Sequence, residues 1–126
     1  MSDIHLTGGE WNVLSCLWEE SPQTLMQLVA ELSARVGWAK STTITTLRRM
    51  EGKGLVRCEV TAKGRSYTPL VAQERAAQAE TRSFLDRVYH GSVGLMLSTM
   101  TERQELSEKE LDELRAILKN AEGGES

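Results

Sequence analysis

The fold of this chain is decided by residues 41–68, which read STTITTLRRMEGKGLVRCEVTAKGRSYT. The first part has helical spacing, because one side of a wheel at 100° per residue collects the core-type positions Ile44, Leu47 and Met50, with Thr43 beside them. We predict a helix that is N-capped by Ser41, runs to about residue 52 and is ended by Gly54 in the left-handed conformation.

The opposite side of this helix is polar and has no acidic residue. It carries only hydroxyl and guanidinium groups: Thr42, Thr45 and Arg49, flanked by Thr46 and Arg48. Short polar side chains on an exposed helix can approach the edges of DNA bases, and guanidinium groups pair with bases or phosphates. This face is therefore a candidate DNA-reading surface.

The pattern changes after Gly54 from helical spacing to alternation. Residues 55–60 alternate between apolar and polar, a turn follows around residues 62–64, and residues 65–68 precede Pro69. We predict a β-hairpin with a cationic tip. A hairpin beside a reading helix can lie along the DNA backbone or enter the minor groove.

Two further helices are predicted upstream by their N-terminal caps. Thr7 with Glu10, and Thr24 with Gln27, have the spacing of a capping box. Apolar residues at helical spacing extend the first helix to about residue 20 and the second to about residue 36. Three helices and a two-stranded hairpin in this order are typical of a winged helix-turn-helix domain.

The net charge of −3 hides a basic block. Residues 35–65 contain eight basic and two acidic residues, which gives +6 and leaves −9 for the rest of the chain. A compact basic region is the electrostatic footprint of a nucleic-acid-binding module. The residues that we expect to contact DNA are Lys40, Ser41, Thr42, Thr45, Thr46, Arg48, Arg49, Lys63 and Arg65. The alternatives are an ordinary solvated helix and hairpin, or a winged-helix module that binds an acidic protein partner.

Residues 73–126 have apolar stripes at helical spacing but no globular core of their own. We predict a helix from residue 73 to about residue 89, a break at His90-Gly91, a short helix around residues 93–97, and a last helix that is capped by Ser107 and frays from Ala121. A second copy of the chain is expected to cover the stripes, whose residues are Phe84, Leu85, Val88, Leu95, Leu97, Leu111, Leu114, Ile117 and Leu118. The alternative is an arm that folds back on its own N-terminal domain.

The length of 126 residues suits a small domain with an appendage, which we place at residues 1–72 (winged helix) and 73–126 (helical dimerisation arm). Cys16 and Cys58 are expected as buried thiols, because the cysteines and the two histidines have no metal-binding spacing. No phosphate loop or nucleophile pair indicates an enzyme, so no catalysis, cofactor or metal is expected. The start has no basic n-region and no apolar run, so we expect a cytoplasmic protein.

Several short motifs occur in order along nearly the whole chain. They are Leu6-Thr7-x-x-Glu10-Trp11-x-Val13, Leu17-Trp18, Thr24-Leu25, Trp38, Thr42-x-x-Thr45-x-Leu47-x-Arg49-Met50, Lys53-Gly54-Leu55-Val56, Gly64-Arg65, Tyr67-x-Pro69 and Leu106-Ser107. This ordered set resembles the penicillinase-repressor family of winged-helix regulators, which includes β-lactamase, methicillin-resistance and copper-export repressors.

The resemblance implies a homodimeric repressor that binds a palindromic operator through the third helix and silences its own operon. In that family the residues that match Thr42, Thr45 and Arg49 face DNA. The β-lactam members are induced by a membrane sensor-protease that leads to cleavage of an Asn-Phe bond in the arm; the matching pair here is Thr99-Met100, in an expected loop between helices. The Cys-x-Cys pairs of the copper-responsive members have no counterpart, so copper sensing is not expected.

Overall fold

The computed structural model describes residues 5–103 and 105–123, which divide into two compact units between Thr81 and Arg82. The elements, in chain order, are α1 Gly8–Glu19, β1 Gln23–Thr24, α2 Leu25–Val36, α3 Lys40–Lys53, β2 Val56–Thr61, β3 Gly64–Pro69, α4 Gln73–Tyr89, α5 Val93–Glu102 and α6 Glu108–Gly123. The predicted fold class, mainly helical with a small β-hairpin, is confirmed. The predicted domain boundary after residue 72 concerns independent folding and stays a prediction.

The predicted caps of α1 and α2 are confirmed. Thr7 Oγ1 accepts the N–H of Glu10 at 3.2 Å, while Glu10 Oε1 accepts the N–H of Thr7 at 2.9 Å. Thr24 and Gln27 form the same reciprocal pair at 3.2 and 2.8 Å. Both helices therefore begin where the capping boxes predict.

Helix α3 begins at Lys40, ahead of its predicted cap. The N-cap is Ala39, which makes no side-chain cap bond, and its carbonyl accepts the N–H groups of Thr42 and Thr43 at 3.0 and 3.3 Å. The prediction of Ser41 as the N-cap was wrong, and this residue lies in the first turn of the helix instead. A good capping side chain is a weak preference that tertiary packing overrides here.

Close packing anchors the chain just before α3. The ring of Trp38 approaches α1 so closely that a Cβ on Gly9 would lie 3.3 Å from Cζ2 of the ring. Gly9 therefore lets the ring approach closely, since a Cβ here would push the ring back by a few tenths of an ångström, although glycine weakens the first turn of α1. At the other end of α3, Gly54 has the predicted left-handed conformation, with a φ of 77°.

The strands β2 and β3 form the predicted antiparallel hairpin. A third strand was missed: Gln23 and Thr24 pair with β3, which gives the sheet order β1-β3-β2. Two residues carry no alternation that a sequence pattern can reveal. The buried side chain of Gln23 supports this strand by donating from Nε2 to the carbonyls of Cys16 and Glu20 at 3.0 and 2.9 Å.

The core of the first unit combines side chains from α1, α2, α3 and the sheet. They are Val13, Leu14, Leu17, Leu28, Leu32, Leu47, Met50, Val56 and Tyr67. Trp18 packs against this core and donates its indole N–H to the carbonyl of Val71 at 2.8 Å.

Cys16 is buried, and burial raises the pKa of its thiol to about 11. The expectation of two buried thiols was wrong for Cys58, which is only half-buried because β2 extends beyond the core.

In the second unit, the predicted break at His90-Gly91 is confirmed, since both residues have positive φ angles, of 53° and 83°. Ser107 and Glu110 form the predicted capping box of α6, with bonds of 2.8 and 3.1 Å. The expected fraying from Ala121 was wrong as far as residue 123, because α6 continues to that point, and residues 124–126 lie outside the described ranges.

None of the helices within the described ranges has the length and apolar character that crossing a membrane requires. The described residues also hold no group of three or more His, Cys, Asp or Glu side chains that could bind a metal ion.

The carboxylate of Glu10 joins α1 to the end of α3. Glu10 is fully buried, and its Oε2 accepts a hydrogen bond from Lys53 Nζ at 2.7 Å. Burial alone raises the pKa of this carboxyl, but the hydrogen bonds from Lys53 and Thr7 outweigh that effect and hold the pKa below its usual value. The fold therefore stabilises the ionised form of Glu10.

We expect Glu10→Gln to lower the free energy of unfolding by about 1–3 kcal/mol at pH 7. The amide oxygen of glutamine can keep the capping bond to Thr7. The substitution removes the charge that faces Lys53 and replaces the acceptor Oε2 by an amide NH2, which cannot accept from Lys53 Nζ. Because the folded pKa of Glu10 is lowered, this stabilisation is present above the usual carboxyl pKa and is lost as the pH falls through the folded value.

Urea titrations of both proteins from pH 7 down to about pH 3 should show their stabilities converging in acid. Glu51→Gln, at an exposed position of α3, is the control and should change the free energy of unfolding by less than about 0.5 kcal/mol. Equal stabilities of wild type and Glu10→Gln at pH 7 would contradict the stabilising role of the ion pair.

Thr43 is fully buried on the core side of α3, as predicted, and its hydroxyl has no hydrogen-bond partner among the described residues. An unpaired buried hydroxyl destabilises a fold. We expect Thr43→Val, which keeps the shape of the side chain, to raise the free energy of unfolding by about 1 kcal/mol. Thr46→Val is the contrast and should bring no gain in the same urea titrations, because the Thr46 hydroxyl donates to the carbonyl of Thr42 at 2.8 Å.

Candidate nucleic-acid interface

The exposed side of α3 is the side that the sequence predicts. Six of the candidate contact residues on this helix are exposed: Lys40, Ser41, Thr42, Thr45, Arg48 and Arg49. The first acidic residue of the helix is Glu51, which follows this stretch. The predicted placement of these six side chains on the surface is confirmed, while their contact with DNA stays a prediction.

Thr46 is the exception among the candidate residues of α3. Only 7% of its surface is exposed, and its Oγ1 donates a hydrogen bond to the carbonyl of Thr42 at 2.8 Å. The prediction that the Thr46 side chain faces solvent was wrong, although the residue still lines a depression on this side of the helix. A helical wheel gives the direction in which a side chain projects, but it does not show how far neighbouring elements bury that side chain.

A shallow depression of about 330 Å³ lies on the surface of α3. It is lined by four hydroxyl side chains and one guanidinium: Ser41, Thr42, Thr45, Thr46 and Arg49. Hydroxyl groups both donate and accept hydrogen bonds, whereas the guanidinium only donates. The α3 depression therefore offers the mixture of donors and acceptors that base edges in the major groove require.

Two of the eight residues in the basic block are neutralised within the fold. Arg35 pairs with Glu19 of α1 and, at 2.7 Å, with Glu31 of its own helix, while Lys53 pairs with Glu10. The hydrogen bond from Arg35 also lowers the pKa of the Glu19 carboxyl. The other six make no ion pair in the part of the chain that the structure describes: Lys40, Arg48, Arg49, Arg57, Lys63 and Arg65. Within the basic block, the cations without an ion pair thus lie on α3 and the hairpin.

The hairpin tip presents Lys63 and Arg65, both exposed. Gly64 between them has a φ of 106°, which glycine adopts far more readily than other residues. Thr61 Oγ1 accepts the N–H of Lys63 at 3.2 Å and donates to the carbonyl of Gly64 at 2.9 Å. Local hydrogen bonds therefore shape the turn that carries both cations.

The arm residues that were predicted to meet a second copy are mostly accessible in the single chain. Five are exposed: Phe84, Val88, Leu95, Ile117 and Leu118. Leu97, Leu111 and Leu114 are half-buried. The prediction was wrong for Leu85, because only 6% of this residue is exposed and it offers little surface to a partner.

The Thr99-Met100 pair lies inside α5 and not in a loop between helices. Thr99 Oγ1 donates to the carbonyl of Leu95 at 2.9 Å, as serine and threonine do within helices. The expected loop was wrong because the apolar stripe ends near Leu97 while the helix itself continues to Glu102.

Sequence reading missed the contacts that hold α3 in place. Lys53 was counted in the charge of the basic block, although it bonds to Glu10, and no local pattern connects two residues 43 positions apart. Trp38 was noted only as one of the family motifs, and spacing gave no sign of its contact with Gly9.

The family profile described as penicillinase repressor matches residues 6–120. The chain belongs to the penicillinase repressor family. The members of this family are transcriptional repressors and not enzymes, so the predicted family and the predicted functional class are confirmed.

Relatives in the penicillinase repressor family match over most of their length. The chain is 25% identical over 113 residues to the methicillin resistance regulatory protein MecI of Staphylococcus aureus (strain N315), which covers 90% of this chain and 92% of the relative. It is 28% identical over 113 residues to the penicillinase repressor of Bacillus licheniformis, which covers 90% of this chain and 88% of that protein.

Two solved structures from the penicillinase repressor family share the winged-helix fold. The solution structure of the DNA binding domain of the repressor BlaI has a TM-score of 0.53 at 23% identity and covers 59% of this chain and 90% of its own. The monomeric form of Bacillus licheniformis BlaI in complex with the blaP half-operator has a TM-score of 0.52 at 23% identity, with the same coverage. The likeness confirms the fold of the DNA-binding part.

We expect Arg49→Ala to weaken DNA binding by about 1–3 kcal/mol, because Arg49 supplies the guanidinium of the α3 depression. The duplex is one that the wild-type chain selects from a random pool, and fluorescence anisotropy measures the affinity. Arg35→Ala is the matched control, since the exposed guanidinium of Arg35 is neutralised by Glu19 and Glu31; its affinity should stay within about twofold of wild type. An unchanged affinity of Arg49→Ala would remove this residue from the interface.

Proposed function

We propose that the chain is a homodimeric, sequence-specific repressor that binds a palindromic operator through α3 and silences its own operon. The observation that carries the proposal is the exposed face of α3, where Thr42, Thr45 and Arg49 line one depression and residues 40–50 contain no acid. Membership of the penicillinase repressor family supports it.

The chemistry of α3 suits the major groove. A helix fits the width of this groove, and each base pair presents there a distinct pattern of donors and acceptors. Threonine can bond to base edges through its hydroxyl or contact the methyl group of thymine, and Arg49 can pair with guanine in a bidentate way. Leu47 and Met50 anchor the opposite side of the helix in the core, so the reading side chains are presented from a fixed backbone.

Phosphate contacts would surround this reading surface. Lys40 and Ser41 lie in the first turn of α3, where backbone N–H groups have no helical partner and favour anions. Lys63 adds a cation at the hairpin tip. The related BlaI protein is described in complex with a half-operator, which supports the same use of the winged helix here.

A second copy of the chain is the proposed partner of the arm. The exposed apolar side chains of the arm include Ile117 and Leu118, which are 62% and 52% exposed. The contact of such apolar side chains with water is unfavourable. A dimer with two-fold symmetry would bury them and present two copies of α3 to the two half-sites of a palindrome.

Induction and location complete the proposal. We propose a cytoplasmic location, where an operator is accessible.

A membrane sensor-protease is the inducing partner that the family resemblance implies, and cleavage at Thr99-Met100 would require α5 to unwind locally, because both residues are helical. A gene for a membrane metalloprotease sensor beside the gene of this chain would support that route.

The proposal is tested by selecting duplexes from a random pool with the full-length protein. We expect one palindromic sequence to be enriched and to bind in a salt-dependent way. Binding that shows no sequence preference at any ionic strength would contradict the proposal and favour a winged-helix module that binds another protein.

We expect the double substitution Ile117→Asp with Leu118→Asp to convert a dimer into a monomer, because two carboxylates cannot be buried in an apolar interface without partners. Sedimentation equilibrium measures the mass, and operator affinity should fall together with dimerisation. Ala116→Asp, at an exposed position on the other side of α6, is the control and should remain dimeric. A double variant that stays dimeric would exclude this stripe from the interface.

A further inference from the structure

The register of the hairpin places Val60 directly opposite Arg65. Directly opposed residues on paired antiparallel strands project from the same face of the sheet. The isopropyl group of Val60 and the side chain of Arg65 therefore share one face of the wing, which we define as β2 and β3 together.

This face of the wing is the one that enters the core further along the strands. Residues two apart project to the same face, so Val60 and Arg65 continue the row that holds Cys58 opposite Tyr67. Tyr67 is buried in the core together with residues of α3, whereas Arg57 and Glu59, on the opposite face, are exposed. Val60 and Arg65 therefore lie where the inner face of the wing extends past the body of the domain.

Val60 is the most exposed large apolar side chain in the described chain, with 81% of its surface accessible. The guanidinium of Arg65 lies back along the same face, with Nη1 3.9 Å from Sγ of Cys58. No carboxylate within the described ranges forms an ion pair with it. The inner face of the wing thus joins an exposed apolar group to an unpaired guanidinium.

We propose that this inner face enters the minor groove beside the half-site, with Arg65 reading A·T base pairs and Val60 packing against deoxyribose. The inference rests on the proposed function, since it names a second reading element of the same interface. It assigns Arg65 a role in sequence preference in addition to charge neutralisation.

The chemistry of the minor groove matches both side chains. The narrow groove of A·T-rich DNA has an enhanced negative potential that attracts arginine. A guanidinium is less strongly hydrated than an ammonium, which favours arginine over lysine in such a confined place. The walls of the groove are sugar C–H groups, which an exposed valine can contact with loss of apolar surface to water.

The test uses the duplex that the full-length protein selects, altered at the A·T pairs that flank each half-site. One series replaces them by G·C, which places an amino group in the minor groove, and a second series uses inosine·C, which lacks that group but keeps a guanine-like major groove. For wild type we expect G·C flanks to lower the affinity about fivefold or more and inosine·C flanks to behave like A·T.

Three variants separate the contributions of the wing. Arg65→Lys should lose the flank preference while keeping the salt dependence of binding, because the charge is retained. Lys63→Ala should keep the preference and lower the slope of log affinity against log salt by about 1.8, because each of the two protomers loses one phosphate contact at about 0.9 per contact. Val60→Thr, which keeps the shape and adds a hydroxyl, should weaken binding about threefold to the A·T-flanked duplex without changing the slope.

Equal losses with G·C and inosine·C flanks would overturn the inference, as would an Arg65→Lys variant that keeps the preference. Those results would leave the proposed function intact, since the palindrome would still be selected through α3. Failure to select any palindrome would contradict the proposed function and the inference together.

Discussion

Helix α3 depends on the first turn of α1. Five consecutive β-branched residues, at positions 42–46, give α3 a weak intrinsic preference for helix. Two adjacent residues of α1 compensate for this weakness: Gly9 admits the ring of Trp38 just before α3, and Glu10 receives Lys53 in its last turn. Contacts with α1 thus support both ends of the helix, in addition to the core contacts of Leu47 and Met50.

The same residues explain why that support is needed. Thr42 and Thr45 suit an interface with bases because they are short and carry both a hydroxyl and a methyl group, yet these properties make them poor helix formers. Leucine or alanine would form a firmer helix but could form no hydrogen bond with a base edge. The buried Glu10 carboxylate therefore contributes to DNA binding indirectly, by supporting α3, although it lies away from the exposed face.

Local signals predicted the elements whose ends are set locally. Thr7, Thr24 and Ser107 cap their helices through neighbours three residues away, and Gly54 ends α3 through its own backbone freedom, so the sequence alone was sufficient. Helix α3 begins after Ala39, which makes no side-chain cap bond, so no local signal marks its start and the pattern led wrongly to Ser41.

The candidate site was predictable to the same degree. The direction of Thr42, Thr45 and Arg49 follows from helical geometry, and the structure agrees. The burial of Thr46 and the pairing of Lys53 with Glu10 depend on which elements pack against α3. The spacing of residues in the sequence does not contain this information. The strand formed by residues 23–24 is likewise defined only by its partner β3.

The contrast between the two cysteines has a practical consequence. Alkylating reagents attack the thiolate, and Cys16 is shielded twice, by lack of access and by a pKa raised to about 11. Cys58 on the hairpin is only half-buried in the folded state. The rate at which Cys16 is modified therefore reports local unfolding of the core. The rate for Cys58, measured in the same chain, is the internal standard.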